Sequence, residues 1–258
     1  GHFFDLPGSG ARQPCSTSLL GGDWLNVADS YVDFQGYPGK GLDEDGGSHL
    51  YYRQNIRDLP NNTPVVYARI WRGGGRTVIQ YWLYYYYNSW GLQGGLGLGF
   101  GLHEGDWEMV QVVLDGEEHP LYAVFAQHLA LPAPYLNFNG ASKKEWNDLA
   151  RDTADGDHPI VYVALGSHAS YFGPYPYLYA LDHTASETAS LLRPSVHLLD
   201  ENGADTWVGY EGIWGQPSHL GRFQGGPPSP GSQGQKWSSP LVWGETGVSW
   251  DEFAGHNR

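Results

Sequence analysis

Cysteine is all but missing: Cys15 stands alone among 258 residues, so this chain forms no internal disulfide and no cysteine-based zinc site. Basic residues are scarce as well. Fourteen Lys and Arg face twenty-eight Asp and Glu, a formal net charge of −14 at pH 7. That charge repels a phosphate backbone, and no Lys/Arg cluster supplies counterion release, which excludes nucleic acid as a partner. Simple electrostatic docking on an anionic membrane is disfavoured for the same reason, so a membrane is met only through a lipid headgroup, with a divalent cation as the bridge. Apolar runs of bilayer-spanning length are lacking too. The chain opens at Gly1 without an initiator Met, which fits either a removed leader or a trimmed start with Gly1-His2 as a vector remnant; the compartment stays open, with secretion favoured. Asn61-Asn62-Thr63 is a formal glycosylation sequon.

What is abundant points to a packed β protein. Hydrophobic residues make up 40% and charged residues 16%, with 15% aromatic, which is too much bulky apolar surface for a disordered chain. Thirty-seven Gly and seventeen Pro punctuate short runs rich in Val, Ile, Tyr and Trp, the pattern of many strands joined by turns. The best strands are Val65 to Trp71, Thr77 to Tyr86, Trp107 to Leu114, Leu121 to Gln127 and Ile160 to Leu165. Two segments read as helix, Ser142 to Arg151 and Thr184 to Leu192. The expectation is an all-β fold with minor helices, a β-sandwich with long decorating loops, in one domain over 1–258. Residues 1–60 form an N-terminal extension of no assigned role, and 225–240 an extended Gly/Pro-rich surface segment. Gly91 to Gly101 is a loop and not a phosphate cradle, because it opens a strand carrying carboxylates where a P-loop needs a Lys-Ser/Thr pair opening a helix.

The run His103-Glu104-Gly105-Asp106-Trp107-Glu108-Met109-Val110 carries the chemistry. Strand alternation puts Asp106 and Glu108 on one face, above Val110 and Val112, and turns Trp107 and Met109 to the other. Two carboxylates this close raise each other's pKa unless a positive charge lies between them. A hard divalent cation, Mg²⁺ or Ca²⁺, is the economical partner, with His103 as a nitrogen ligand. Leu121 to His128 places Tyr122, Val124, Ala126 and His128 on one face, and the strand from Ile160 runs into Gly166-Ser167-His168. Three strands ending in polar residues place one site at one pole. Asp182-His183 reads as a surface turn. Neither Ser167 nor Ser170 sits in the strand-to-helix elbow of a serine nucleophile.

Four blocks in order, Gln80 to Asn88, His103 to Val112, Ala126-Gln127-His128 and Val161 to Tyr171, resemble the Vps62-related family of microbial proteins. Gly212-Ile213-Trp214-Gly215, Gly226-Pro227-Pro228 and Trp237 extend the likeness, so it runs from about Val65 to Pro240. More distantly the blocks resemble the necrosis-inducing (NLP) cytolysins, whose hallmark run is Gly-His-Arg-His-Asp-Trp-Glu. That resemblance implies cation ligands at His103, Asp106 and Glu108. It sets Asn88 where the family has a further acidic ligand, which removes one negative charge. Glu104-Gly105 replaces Arg-His, and His168 matches a second histidine block.

Two functions follow. In the first, a cation held by His103, Asp106, Glu108 and Asn88 polarises a substrate oxygen while His128 or His168 moves a proton, as in a metal-assisted hydrolase or a lyase or dehydratase. Tyr86, Trp90, Glu104 and Tyr171, within a ring that also draws on Tyr84 to Tyr87, would hold a hydroxyl- or ring-bearing small molecule or glycan. The alternative is a cation-dependent protein of cytolysin type that grips a glycan or lipid headgroup and breaks no bond.

Overall fold

The computed structural model describes residues 3–5, 12–14, 31–33, 64–89, 102–128, 140–154, 156–174, 176–177, 182–184, 191–215 and 226–251. Three short strands come first, β1 Phe3–Asp5, β2 Arg12–Pro14 and β3 Tyr31–Asp33. The long strands follow: β4 Val65–Gly73, β5 Arg76–Ser89, β6 Leu102–Leu114, β7 Pro120–Ala126 and β8 Ala141–Glu145. Three two-residue hairpins come next, pairing β9 Arg151–Asp152 with β10 His158–Pro159, β11 Tyr162–Val163 with β12 Ser170–Tyr171, and β13 Pro176–Tyr177 with β14 Asp182–His183. Strands β15 Ser195–Leu198, β16 Ile213–Trp214 and β17 Val248–Ser249 complete the set, with helices α1 Gln235–Ser238 and α2 Pro240–Glu245 before the last.

The fold is all-β, as the turn-punctuated sequence implies. Seven strands form the main sheet in the order β15-β4-β5-β6-β7-β8-β17, antiparallel inside and parallel at both edges. A second sheet of four strands has the order β16-β3-β1-β2. Trp214 of β16 meets the main sheet, packing edge-on against Trp107 at 5.3 Å between ring centroids.

Alternation along β5 to β7 gives the main sheet two different faces. One buries Trp82, Trp107, Met109, Val124 and Ala126 against Trp207, Val208, Tyr210 and Trp243. The other buries Val110, Val112, Ala123 and Phe125 against Trp146, Leu149 and the β11–β12 hairpin, where Phe125 and Phe172 stack at 3.9 Å.

Four readings are corrected. The helix expected over Ser142 to Arg151 is strand β8 followed by a single 3-10 turn, Trp146–Asp148. Pairing with β7, Phe125 opposite Ser142, overrides the local helical spacing, and Trp146 still reaches the core from the turn. The strand expected over Ile160 to Leu165 shrinks to Tyr162–Val163, which pairs with β12 instead of the main sheet. The start of the Gly/Pro-rich segment is not an extended surface wrap: Ser229 is wholly buried, Pro228 bridges to Ile213, and Pro230–Ser232 is a 3-10 turn. Its continuation is clamped by buried glutamines, since Gln80 Nε2 donates to the Lys236 carbonyl at 2.6 Å and Gln111 Nε2 to that of Pro240 at 3.0 Å. Finally, β7 ends at Ala126, so His128 does not share the face of Val124 and Ala126. Of the Thr184 to Leu192 helix, Thr184 forms a bridge with Ala164, and 185–190 lie outside the described residues, as do Asn61, 91–101 and most of 1–60.

Candidate functional site

The pole of the main sheet where β5 ends and β6 begins gathers the site. Register sets Tyr85 opposite Asp106, Leu83 opposite Glu108 and Asn88 opposite His103. Asp106 and Glu108 share the face of Val110 and Leu83, as alternation requires, and Trp107 lies on the other, 4.8 Å from Tyr84 and 5.7 Å from Trp207 between centroids. Gly105 breaks the regularity. It sits at φ +62°, and a Cβ there would lie 2.3 Å from the Trp214 carbonyl oxygen, so only glycine fits. The ladder has no pair at Tyr86 and Gly105, and beyond this break the Asn88 amide reaches the Asp106 carboxylate at 3.3 Å. Strict alternation from Leu83 and Tyr85 would have turned Asn88 away.

Asp106 is buried and meets a second donor. His168 Nδ1 lies 3.0 Å from the same carboxylate oxygen that the Asn88 amide reaches, and the His168 ring stacks on Tyr85 at 4.0 Å and 4°. The β11–β12 hairpin positions His168. Ala164 N donates to Ala169 O and His168 N to Ala164 O, a tight turn that holds Gly166 at φ +86° and His168 at φ +60°. A non-glycine residue in the left-handed region is strained by about 1–3 kcal/mol, and such strain clusters at functional sites.

A second histidine–aspartate pair lies alongside, and its acid is the residue that reading the sequence missed. Asp182 is 1% exposed and accepts from Tyr171 Oη at 2.5 Å, Ser167 Oγ at 2.6 Å and His128 Nδ1 at 3.0 Å. The expected surface turn at Asp182-His183 is therefore half right: His183 is exposed and Asp182 is the hub of a buried network. Pairing fixes it there, through the Ala164–Thr184 bridge and Leu165 N donating to His183 O. The sequence signal was an acid ending the apolar run Tyr177-Leu178-Tyr179-Ala180-Leu181.

These neighbours set the electrostatics. Burial, then the charges of Asp106 and Asp182, push the Glu108 carboxyl up to about 8, against a smaller opposing pull from Lys236 and His128. Among the described residues Glu108 accepts no hydrogen bond, and no Lys or Arg pairs with Asp106, Glu108 or Asp182. Burial and then the charges of Glu108 and Asp106 raise the Tyr85 phenol far above its ordinary range. Burial alone would lower His128, but the hydrogen bond and charge of Asp182, with Glu108 and Asp106 behind it, hold it above 6.5.

The other expected residues divide. His103 Nδ1 donates within its own strand, to Gly105 O at 2.7 Å. The tyrosine run does not form one ring: alternation sends Tyr84 to the tryptophan face and Tyr85 to the site. Tyr171, expected at a ligand, is fully buried and buttresses Asp182. The side chains of Tyr86 and Glu104, and all of Trp90, lie outside the described residues. A cavity of about 320 Å³ opens beside the hairpin, lined by the 163–166 turn, His168, His183 and Thr184.

Among the described residues one trio brings its ligand atoms within 4.8 Å of one another: Asp115, Glu117 and His119, in the β6–β7 turn. It was not expected from the sequence. Asp115 Oδ1 already accepts the backbone N–H of Glu117 and of His119, each at 2.9 Å, and so caps the turn.

By sequence the chain matches no protein-family model and no curated protein. It is similar to solved structures at low identity. One, "Toxin fold for microbial attack and plant defense", is 17% identical with a TM-score of 0.37, over 57% of this chain and 58% of that one. NLPPya in complex with mannosamine is 17% identical with a TM-score of 0.39, over 70% and 67%. Necrosis and Ethylene inducing Protein 2, from the causal agent of cocoa's Witches Broom disease, is 16% identical with a TM-score of 0.39, over 67% and 66%. The chain thus spans less than two thirds of the first of these, 58%.

Proposed function

We propose that this pole binds a divalent cation through Asp106 and Glu108 and uses it to hold a hydroxyl-rich ligand, a glycan or sugar-bearing lipid headgroup, as a binding protein of cytolysin type. The observation that carries this reading is the Glu108 carboxyl, which sits beside a second carboxylate with no hydrogen bond and no ion pair among the described residues, and whose pKa stays raised although Lys236 and His128 pull it down. A carboxyl in that setting keeps its proton or takes a cation. Hard-cation donors fit the place: Asp106 and Glu108 supply the charge, and Asn88 and His103, paired across β5 and β6, stand at the same strand end. Mg²⁺ or Ca²⁺ suits an oxygen-rich set, and when bound it supplies the positive charge that vicinal hydroxyls coordinate. His168 lines the neighbouring cavity, whose 320 Å³ suits a ligand of one or two rings. The likeness of the strand blocks to the Vps62-related family belongs to the same reading.

A second reading, a metal-assisted hydrolase or lyase, is favoured by one feature. Both histidines present Nδ1 to a carboxylate, His128 to Asp182 and His168 to Asp106, the base-and-orienter arrangement of acid–base catalysis.

Calorimetry with Ca²⁺ and Mg²⁺ on chelator-treated protein, then with glucosamine and mannosamine in the presence and absence of the cation, tests the proposal; NLPPya has been crystallised with both sugars. Cation binding should be lost in Asp106→Ala and in Glu108→Ala, with losses in the double variant that do not add. Wild-type affinity in either single variant sinks the shared site. Sugar recovered unchanged after incubation supports binding; a new product supports the second reading.

A further inference from the structure

Gln127 is a buried carboxamide. It is 5% exposed, and among the described residues neither Oε1 nor Nε2 has a hydrogen-bond partner. An amide buried this way forfeits its hydration without return, which is why native interiors seldom keep one. Its place in the sheet says what it waits for. Val110 on β6 faces Phe125 on β7, so the next same-face positions toward the pole are Glu108 and Gln127. The ladder geometry persists that far, because Gln127 N donates to Gly140 O at 3.0 Å, one step beyond the Ala126–Ala141 pair. Alternation therefore keeps Gln127 on the face of Phe125, Val110 and Glu108. Among the described residues, two polar groups without hydrogen bonds, the Glu108 carboxyl and the Gln127 amide, thus stand at neighbouring strand positions, and Asp106 is the next same-face residue of β6.

From this juxtaposition we infer that Gln127 is a further oxygen donor of the cation centre, its Oε1 serving with the carboxylates of Asp106 and Glu108. The inference rests on the cation reading above and extends it. A neutral carbonyl oxygen suits the hard cations Ca²⁺ and Mg²⁺ and adds no charge to a site that already concentrates acids. This donor thus comes from the residue just past the end of β7. The amide N–H₂ is left to donate to a ligand hydroxyl or to a water on the ion.

The test separates binding from packing. Gln127→Met keeps the volume and removes the amide, Gln127→Glu keeps the shape and adds a charge, and both are compared with wild type in the full chain. Calcium affinity is read by calorimetry, and the thermal midpoint is read with chelator and with saturating calcium. Gln127→Met should bind calcium about tenfold or more weakly, the scale on which single supporting groups alter metal sites. Its chelated form should melt no lower than wild type, since the substitution removes an unsatisfied buried amide. Gln127→Glu should bind calcium more tightly and show the larger calcium-induced rise in midpoint. Calcium affinity in Gln127→Met equal to wild type overturns the inference and means that solvent alone satisfies the amide. A chelated Gln127→Met that melts well below wild type also overturns it, by showing that the amide serves the fold. If the Met variant does not fold, unchanged calcium affinity in Gln127→Glu decides against it in the same way. Wild-type protein without affinity for Ca²⁺ or Mg²⁺ overturns this inference and the cation reading together, whereas calcium binding by wild type that weakens in Gln127→Met and tightens in Gln127→Glu supports both.

Discussion

At the scale of single residues, Trp107 and Asp182 show how a side chain's direction decides its part. Trp107 lies between two acids in sequence, yet it is 4% exposed among Tyr67, Tyr84, Trp207 and Trp214, away from both. Trp107→Ala should cost about 3–5 kcal/mol in chemical denaturation, as other buried aromatic truncations do, and the folded fraction should keep its cation content. A cost near zero would mean that the strand register is wrong. Asp182 is the opposite case, an acid that holds three donors and owes nothing to a motif. Asp182→Asn replaces one acceptor oxygen with a donor that faces other donors, so about 3 kcal/mol of stability should be lost. It also removes the charge that lifts His128. With burial then unopposed by its nearest acid, His128 should titrate lower than in wild type, which proton NMR of the imidazole can follow. An unmoved titration would show that Glu108 and Asp106 hold His128 by themselves.

At the scale of elements, the strands were legible wherever alternation and β-branched or aromatic content agreed. β4 to β7 follow the expected runs within a few residues at most ends, and the shared face of Asp106 and Glu108 came directly from period two. What was not legible depended on contacts remote in the chain. Asp182 meets His128 across 54 positions, and β8 is a strand because β7 pairs with it and not because Ser142-Lys143-Lys144-Glu145 prefers to be one. Gly105 belongs to both classes: its motif drew attention to it, but the reason for glycine, the Trp214 carbonyl pressed against it, lies on a strand more than a hundred residues away. Gly105→Ala should therefore destabilise the protein beyond the roughly 1–2 kcal/mol of a left-handed alanine, since the carbonyl must also move. The same change should weaken cation binding by shifting Asn88 and Asp106, the pair that meets across the break. A variant with wild-type midpoint and wild-type affinity would show that the ladder absorbs a Cβ there.

At the scale of the whole molecule, a chain of net charge −14 keeps a cluster of acids at one pole with imidazoles as close partners, and this should make stability depend on pH in a particular direction. Glu108 holds its proton up to about 8 in the fold against 4.5 for an ordinary carboxyl, so the folded state binds more protons than the unfolded between those values. Its contribution is fully present below about 4.5 and is lost as pH rises through about 8. His128 acts with the same sign, since its pKa too is raised in the fold: its contribution is present below 6.5 and fades as pH rises through the folded value. Asp115, Asp152 and Asp205, whose pKa values the fold lowers, act the opposite way, but only in the acid range around and below 3.8. Chelated protein should consequently lose thermal midpoint as pH rises from about 5 to about 8, steepest between the two Glu108 values and levelling off above the folded one. Self-repulsion of the net charge has the same sign, but it is screened by salt, whereas a half-buried carboxyl is screened less. The slope should therefore persist at about 0.5 M salt, flatten in Glu108→Gln, and flatten in wild type with calcium, because a bound cation replaces the proton that Glu108 otherwise keeps. A slope that salt abolishes and Glu108→Gln leaves intact would assign the effect to surface charge, and the pole would then be no place for a cation.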